Sequence, residues 1–217
     1  MPATPSPKTR KPSAARWKRR AQARPEEILE AALAEFTERG FEAARMEDIA
    51  KAAGISKAAI YLYFPSKMAL LEALIEAKVA PITEQVAALS AAGLPNPKHA
   101  LRALADMATH RMADPMIVAV PRLVLGLSGR FPEIADYYRT HVVEKARAAL
   151  EALVRAGVKQ GVFRNVDPRA ATRAMIGPLF FEALWTHVLR GESALSDPHA
   201  LVNHQFDILL NGLEQRA

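Results

Sequence analysis

The stretch from Arg45 to Phe64, RMEDIAKAAGISKAAIYLYF, reads as two short helices joined by a tight turn. The first helix spans about Met46 to Ala53. The second spans about Lys57 to Tyr63 and follows Ser56, whose hydroxyl can cap its first amides. Gly54 sits between them, where the chain must turn and a side chain would be strained. Ile49 and Ile60 are placed to pack one helix on the other, and Ala50 and Ala53 permit a close approach. Lys57, Ala58, Ala59, Tyr61 and Tyr63 are left facing outward. A second helix that opens with small and polar side chains can enter a DNA major groove with its N-terminal half.

Working outward, Ile28, Leu29, Ala32, Leu33 and Phe36 make an i, i+3, i+4 stripe. Pro25 is suited to the first turn of that helix and Gly40 to its end. Downstream, Ser66 opens a long apolar-periodic segment through Leu70, Leu71, Leu74 and Val79, in which Pro81 predicts a kink or break. Proline and glycine punctuation divides the remainder into helices near 97–112, 115–128, 132–157, 167–190 and 197–215. No strand and no internal repeat is evident, so the fold class is all-α. Pro2, Pro5, Pro7 and Pro12 stand among small and basic residues, a composition that cannot bury a core. The organisation read from these signals is a disordered basic arm over 1–21, a three-helix DNA-binding head over 22–82 with its helix-turn-helix at 45–64, and a helical effector-binding and dimerisation body over 83–217.

The chain's 217 residues are 50% hydrophobic, enough to bury a substantial core and too many for a minimal DNA-binding module. Lys8, Arg10, Lys11, Arg16, Lys18, Arg19, Arg20 and Arg24 are the only charges before Glu26. The net charge is +6, and +6 less these eight leaves −2 for everything else. A basic arm on a nearly neutral body suits a polyanionic partner approached from one end, although the same charges would serve a solvated tail equally well. Zero cysteines exclude a disulfide framework, a thiolate metal site and a cysteine nucleophile. No apolar run reaches the roughly 18–20 residues of a membrane span and no signal peptide is evident, so a cytoplasmic protein is expected.

The residues Ile28, Leu29, Ala32, Phe36, Gly40 and Phe41, then Asp48, Ile49, Ala50, Ala53, Gly54, Ile55 and Ser56, then Ile60, Tyr61, Tyr63, Phe64, Ser66, Lys67 and Leu70 together resemble the DNA-binding head of TetR-type regulators. The resemblance implies a homodimer whose two heads occupy successive major grooves, and a helical body that binds a small effector and releases the DNA. It places Lys57, Ala58 and Ala59, just after Ser56, against base edges, and Tyr61, Tyr63 and Lys67 against phosphates. Lysine reaches guanine acceptors, alanine methyls touch thymine methyls and tyrosine hydroxyls donate to phosphate oxygens. Two features, at three positions, depart from the family habit. Ala58 and Ala59 stand where glycine and threonine are frequent, which removes a hydroxyl donor. Arg45 stands where threonine or serine is frequent, which adds a cation able to grip a phosphate.

The resemblance is looser in the body. A lining for an apolar or amphipathic effector is sought among Met107, His110, Arg111, Met112, Met116, Arg122, Phe180, Phe181 and Trp185. The segment from Ala170 to Leu189 is apolar on nearly every side and must be covered on more than one face. With the last helix it resembles the family's dimer-forming pair, with Met175, Leu179, Val202, Phe206, Leu209 and Leu213 at the seam. A helical scaffold protein without specific DNA reading is the alternative. A helical di-metal enzyme would need Glu-x-x-His pairs, and none occurs. No Gly-rich phosphate loop or Gly-x-Ser-x-Gly elbow is present either, so no enzyme, cofactor or metal is expected.

Overall fold

The computed structural model describes residues 14–112, 115–187, 189, 191 and 198–213, with side chains from Pro25 onward and those of Met112, Met116, Val202 and a few others left out. The disorder expected of residues 1–13 lies outside the described residues. Among the described residues the structure is helical without a strand, and no single helix is long and apolar enough to cross a membrane. The chain divides into two compact units that meet between Leu70 and Leu71. That boundary is earlier than the one sought at 82, because the helix entered at Ser66 belongs to both.

The first unit holds α1 (Ala14–Arg39), α2 (Met46–Ala52), α3 (Lys57–Tyr63) and the start of α4 (Lys67–Leu74). Helix α1 begins well before Pro25, so residues 14–21 are helical rather than a disordered arm. The run AARWKRRAQAR consists mainly of strong helix formers, and Pro25 forfeits one backbone bond without stopping it. The core is assembled from Ile28, Leu33 and Phe36 of α1, Ile49 and Ala50 of α2 and Ile60 of α3, all exposed by 1% or less. Phe36 and Phe41 add a tilted ring pair 5.0 Å apart.

The second unit contains α5 (Ala80–Ala92), α6 (Pro97–Met112), α7 (Pro115–Leu127), α8 (Pro132–Tyr138), α9 (Glu144–Lys159), α10 (Pro168–His187) and α11 (Pro198–Leu213). One buried cluster joins Leu101 and Leu104 of α6, Leu153 and Val154 of α9, Phe163, Met175 of α10, and Phe206, Leu210 and Leu213 of α11. Of the kink or break anticipated at Pro81, the break is absent and the helix is instead locally widened. A π turn over Ile75–Val79 joins α4 to α5, with the Ala80 amide reaching back to the Ile75 carbonyl. A proline ring clashes with the carbonyl four residues earlier, and widening the preceding turn relieves the clash without ending the helix. A second π turn, Arg139–Val143, joins α8 to α9 within the segment expected as one helix.

The turn between α2 and α3 is closed by the Ile55 amide donating to the Ala50 carbonyl at 2.9 Å and the Gly54 amide donating to the Lys51 carbonyl at 3.1 Å. This pair of bonds is a Schellman motif, which requires a left-handed residue at its centre. Gly54 fills that place with φ +66°. Gly54→Ala should therefore lower the stability of the head by about 1–2 kcal/mol, measured by denaturant unfolding, through backbone strain rather than lost contacts, since nothing lies within 4 Å of where its Cβ would stand.

Candidate nucleic-acid interface

Helix α3 is seven residues long and buries Ile60 alone. Ser56 caps it, its hydroxyl accepting from the Ala59 amide at 3.1 Å. With its N-terminus fixed and one side chain committed to the core, α3 exposes Lys57, Ala58, Tyr61 and Tyr63, while Ala59 is half-buried. The tyrosines are 43% and 41% exposed, which leaves ring and hydroxyl available to a ligand. Arg45 is exposed, in extended backbone just before α2, and its side chain makes no capping bond. The set expected to meet DNA thus lies on and around one short helix, with two qualifications.

The first concerns Lys57, whose ammonium pairs with Glu47 of α2 at 2.6 Å. Their hydrogen bond holds the Glu47 carboxyl below its ordinary range and the Lys57 ammonium above its own. Both side chains are largely exposed, so the pair is worth little to folding. It does offset the cation on the recognition helix and restrict where its tip points. The second concerns Lys67. Its ammonium donates to the Phe41 carbonyl at 2.6 Å and the Glu42 carbonyl at 2.9 Å and lies 5.0 Å from the centre of the Phe41 ring. Two of its three donors therefore fasten the chain after α1 to the start of α4. In this arrangement Lys67 is a brace rather than a phosphate ligand. Ser66 starts α4 as expected, its hydroxyl accepting from the Ala69 amide at 3.1 Å.

Sequence reading passed over Leu62. It is 86% exposed, more than any other large apolar side chain among the described residues. The signal was available, since Leu62 follows Ala58 by one helical turn on the side of α3 opposite Ile60. Glu47 was also passed over, because partners on two different helices show no local spacing.

In the body, Met107 packs half-buried against the cluster formed by α6, α9, α10 and α11. His110 is exposed with Nδ1 2.7 Å from the Asp106 carbonyl oxygen, and Arg111 donates to Gln85 at 2.6 Å. Arg122 is exposed. The side chains of Met112, Met116 and Val202 lie outside the described residues. A cleft of about 500 Å³ between α6 and α11 is lined by Arg102, Ala105, Asp106, Asn203, His204, Phe206, Asp207 and Leu210, a set that shares no residue with the expected effector lining. Phe181 and Trp185 stack 6.2 Å apart and face outward, 59% and 39% exposed. The seam residues are largely the reverse of what was expected. Met175, Phe206 and Leu213 are buried in the chain's own core, and Leu179 and Leu209 pack against it. Among the described residues, the large apolar side chains that α10 and α11 leave exposed are Ile176, Phe180, Phe181, Trp185 and Ile208.

The brace at Lys67 is separable from a phosphate contact by experiment. Lys67→Met should lower the thermal stability of the head and weaken DNA binding while leaving the slope of log affinity against log salt unchanged. Loss of a phosphate contact would instead flatten that slope by about 0.9.

Comparison with known proteins agrees with this geometry. A family model described as bacterial regulatory proteins, tetR family, matches residues 28–74, and one described as a tetracyclin repressor-like C-terminal domain matches residues 96–195. The HTH-type transcriptional regulator RutR of Escherichia coli (strain K12) is 30% identical over 164 residues, covering 70% of this chain and 69% of RutR. The fatty acid degradation regulator FadR of Bacillus halodurans is 26% identical with a TM-score of 0.69, over 87% of this chain and 99% of that one. The transcriptional regulator FadR of Bacillus subtilis, solved in complex with stearoyl-CoA, shares the fold at 20% identity with a TM-score of 0.67, over 87% of this chain and 99% of that one. By its helix-turn-helix head, its helical body and these matches, the chain belongs to the TetR family of bacterial regulatory proteins, DNA-binding regulators of transcription rather than enzymes.

Proposed function

We propose that the protein is a homodimeric repressor that grips a palindromic operator and lets go when a small effector enters its body. The observation that carries the reading is the state of α3, with Ile60 alone buried and Lys57, Ala58, Tyr61 and Tyr63 turned outward. In this reading Lys57, Ala58 and Ala59 meet base edges. Tyr61, Tyr63, Arg45 and the hydroxyl of Ser56 meet the backbone, and the work is done in the cytoplasm, where the chromosome lies. Selection of bound duplexes from a random pool by the purified protein tests it. A palindromic winner supports both the DNA reading and the dimer, and binding without sequence preference supports the scaffold alternative.

The dimer face is assigned to Ile176, Phe180, Phe181, Trp185 and Ile208, because large apolar side chains left exposed on two helices that pack together are costly to leave in water and suited to a self-complementary interface. The effector is taken to be a small, largely apolar molecule with one polar end. Its place is the region where α6 ends and α7 begins, where Met107, His110 and Arg111 precede Met116 and Arg122. The stearoyl-CoA of the Bacillus subtilis FadR structure has such a chemistry, an acyl chain with an anionic head.

Two measurements follow. Phe180→Arg should weaken the dimer by about 30-fold or more while the chain stays helical, read by sedimentation, as expected of a large apolar anchor at an interface. Phe206→Arg should unfold the body instead, since Phe206 is 8% exposed within the core. For the effector, a ligand found by thermal shift should weaken operator binding roughly 5- to 150-fold, and operator should weaken ligand binding by the same factor. Equal ligand affinity with and without operator would remove that compound as an effector.

A further inference from the structure

The outermost line of α3 is apolar. At about 100° per residue, Ala58 and Leu62 stand about 160° and 200° around the helix from Ile60, directly opposite the one side chain that anchors it. Leu62 is 86% exposed, against 43% and 41% for the tyrosines on either side. Among the outward residues of this helix, hydrogen-bond donors are confined to Lys57 and the two tyrosine hydroxyls, and Lys57 is paired with Glu47 at 2.6 Å. Ala58, Ala59 and Leu62 cannot donate or accept through their side chains, so the part of the helix that would enter a groove most deeply has little means of polar readout.

The floor of the major groove offers such a surface one apolar partner. Guanine, adenine and unmodified cytosine present ring nitrogens, carbonyls and amino groups there, whereas thymine presents a C5 methyl group. A leucine against a donor or acceptor would strip its water without replacing the hydrogen bond, while a leucine against a methyl group removes two apolar surfaces from water together. We propose that Leu62, with Ala58 one turn before it, reads the C5 methyl of thymine and is a specificity-determining residue of this regulator. The inference rests on the DNA reading above and adds to it a named base. The same chemistry would accept 5-methylcytosine, which carries the same methyl at the same place.

The test uses the full-length protein and the duplex selected from a random pool. Each thymine of a half-site is replaced in turn by uracil, which removes the methyl and nothing else. Wild-type protein should lose about three- to fivefold in affinity at one or two positions, the scale of one buried methyl. Leu62→Ala should bind the thymine duplex correspondingly more weakly and be indifferent to uracil at those positions, and Leu62→Met should restore the sensitivity. Placing 5-methylcytosine in a cytosine-substituted duplex should recover part of the lost affinity in wild type and none in Leu62→Ala. The proposal is overturned if the selected site holds no preferred thymine, if uracil costs nothing in wild type, or if Leu62→Ala keeps the same uracil sensitivity at every position. Failure of the pool to yield any preferred duplex would instead overturn the DNA reading itself, so the two failures are distinct.

Discussion

Everything the head can do depends on the burial of one side chain. Ile60 is wholly buried and is the only residue of α3 that is. Burying an isoleucine is worth about 1.5–3 kcal/mol, more than any surface ion pair near it supplies. Because α3 is held through this one residue, the Ser56 cap and the Gly54 turn, its remaining side chains are released from structural duty. A longer or more deeply packed helix would have more of its circumference committed to the core. The shortness of α3 and the breadth of its exposed surface have the same physical cause.

That economy explains why the neighbouring charges are arranged as they are. Lys57 could not be buried, and left alone it would add unspecific attraction for any phosphate. The carboxylate of Glu47 neutralises it at short range, and the pair must part or rotate for the ammonium to meet a base. Lys67 makes the opposite use of an ammonium. Half-buried over the Phe41 ring, it donates to two carbonyls of the turn that follows α1 and so ties that turn to the start of α4. Two lysines close in the sequence thus have different roles, decided by what lies within 3 Å of each tip.

The parts of the head that were legible in the sequence are those fixed by local chemistry. A serine before a helix, a glycine in a left-handed turn and an apolar stripe of period 3.6 each carry their own signal within a few residues, and α2, α3 and the Ser66 start fall where those signals put them. What was not legible depended on distant partners or on competition between signals. Pro25 favours a first turn and costs stability inside a helix, and the helix formers before it outweigh that cost. Pro81 signals strain, but only the surrounding packing settles whether strain ends a helix or widens it into a π turn. The Glu47–Lys57 pair and the Lys67 brace join residues from different elements, and no periodicity reports them.

The body shows the same limit in its sharpest form. Helix α10 is apolar on nearly every side, so its pattern announces two covered faces without saying which face looks inward. Ala171, Thr172, Met175 and Glu182 turn out to be buried, and Ile176, Phe180, Phe181 and Trp185 exposed. Two polar residues therefore sit on the inner face while three aromatic rings sit on the outer one, the reverse of what hydrophobicity alone would choose. A chain that needed only to fold would gain by exchanging them. Keeping the larger apolar side chains outside is reasonable only if that face is covered by something else, the role that the second copy proposed above would fill. The same argument applies at smaller scale to Leu62, where the cover would be the edge of a base pair rather than a protein.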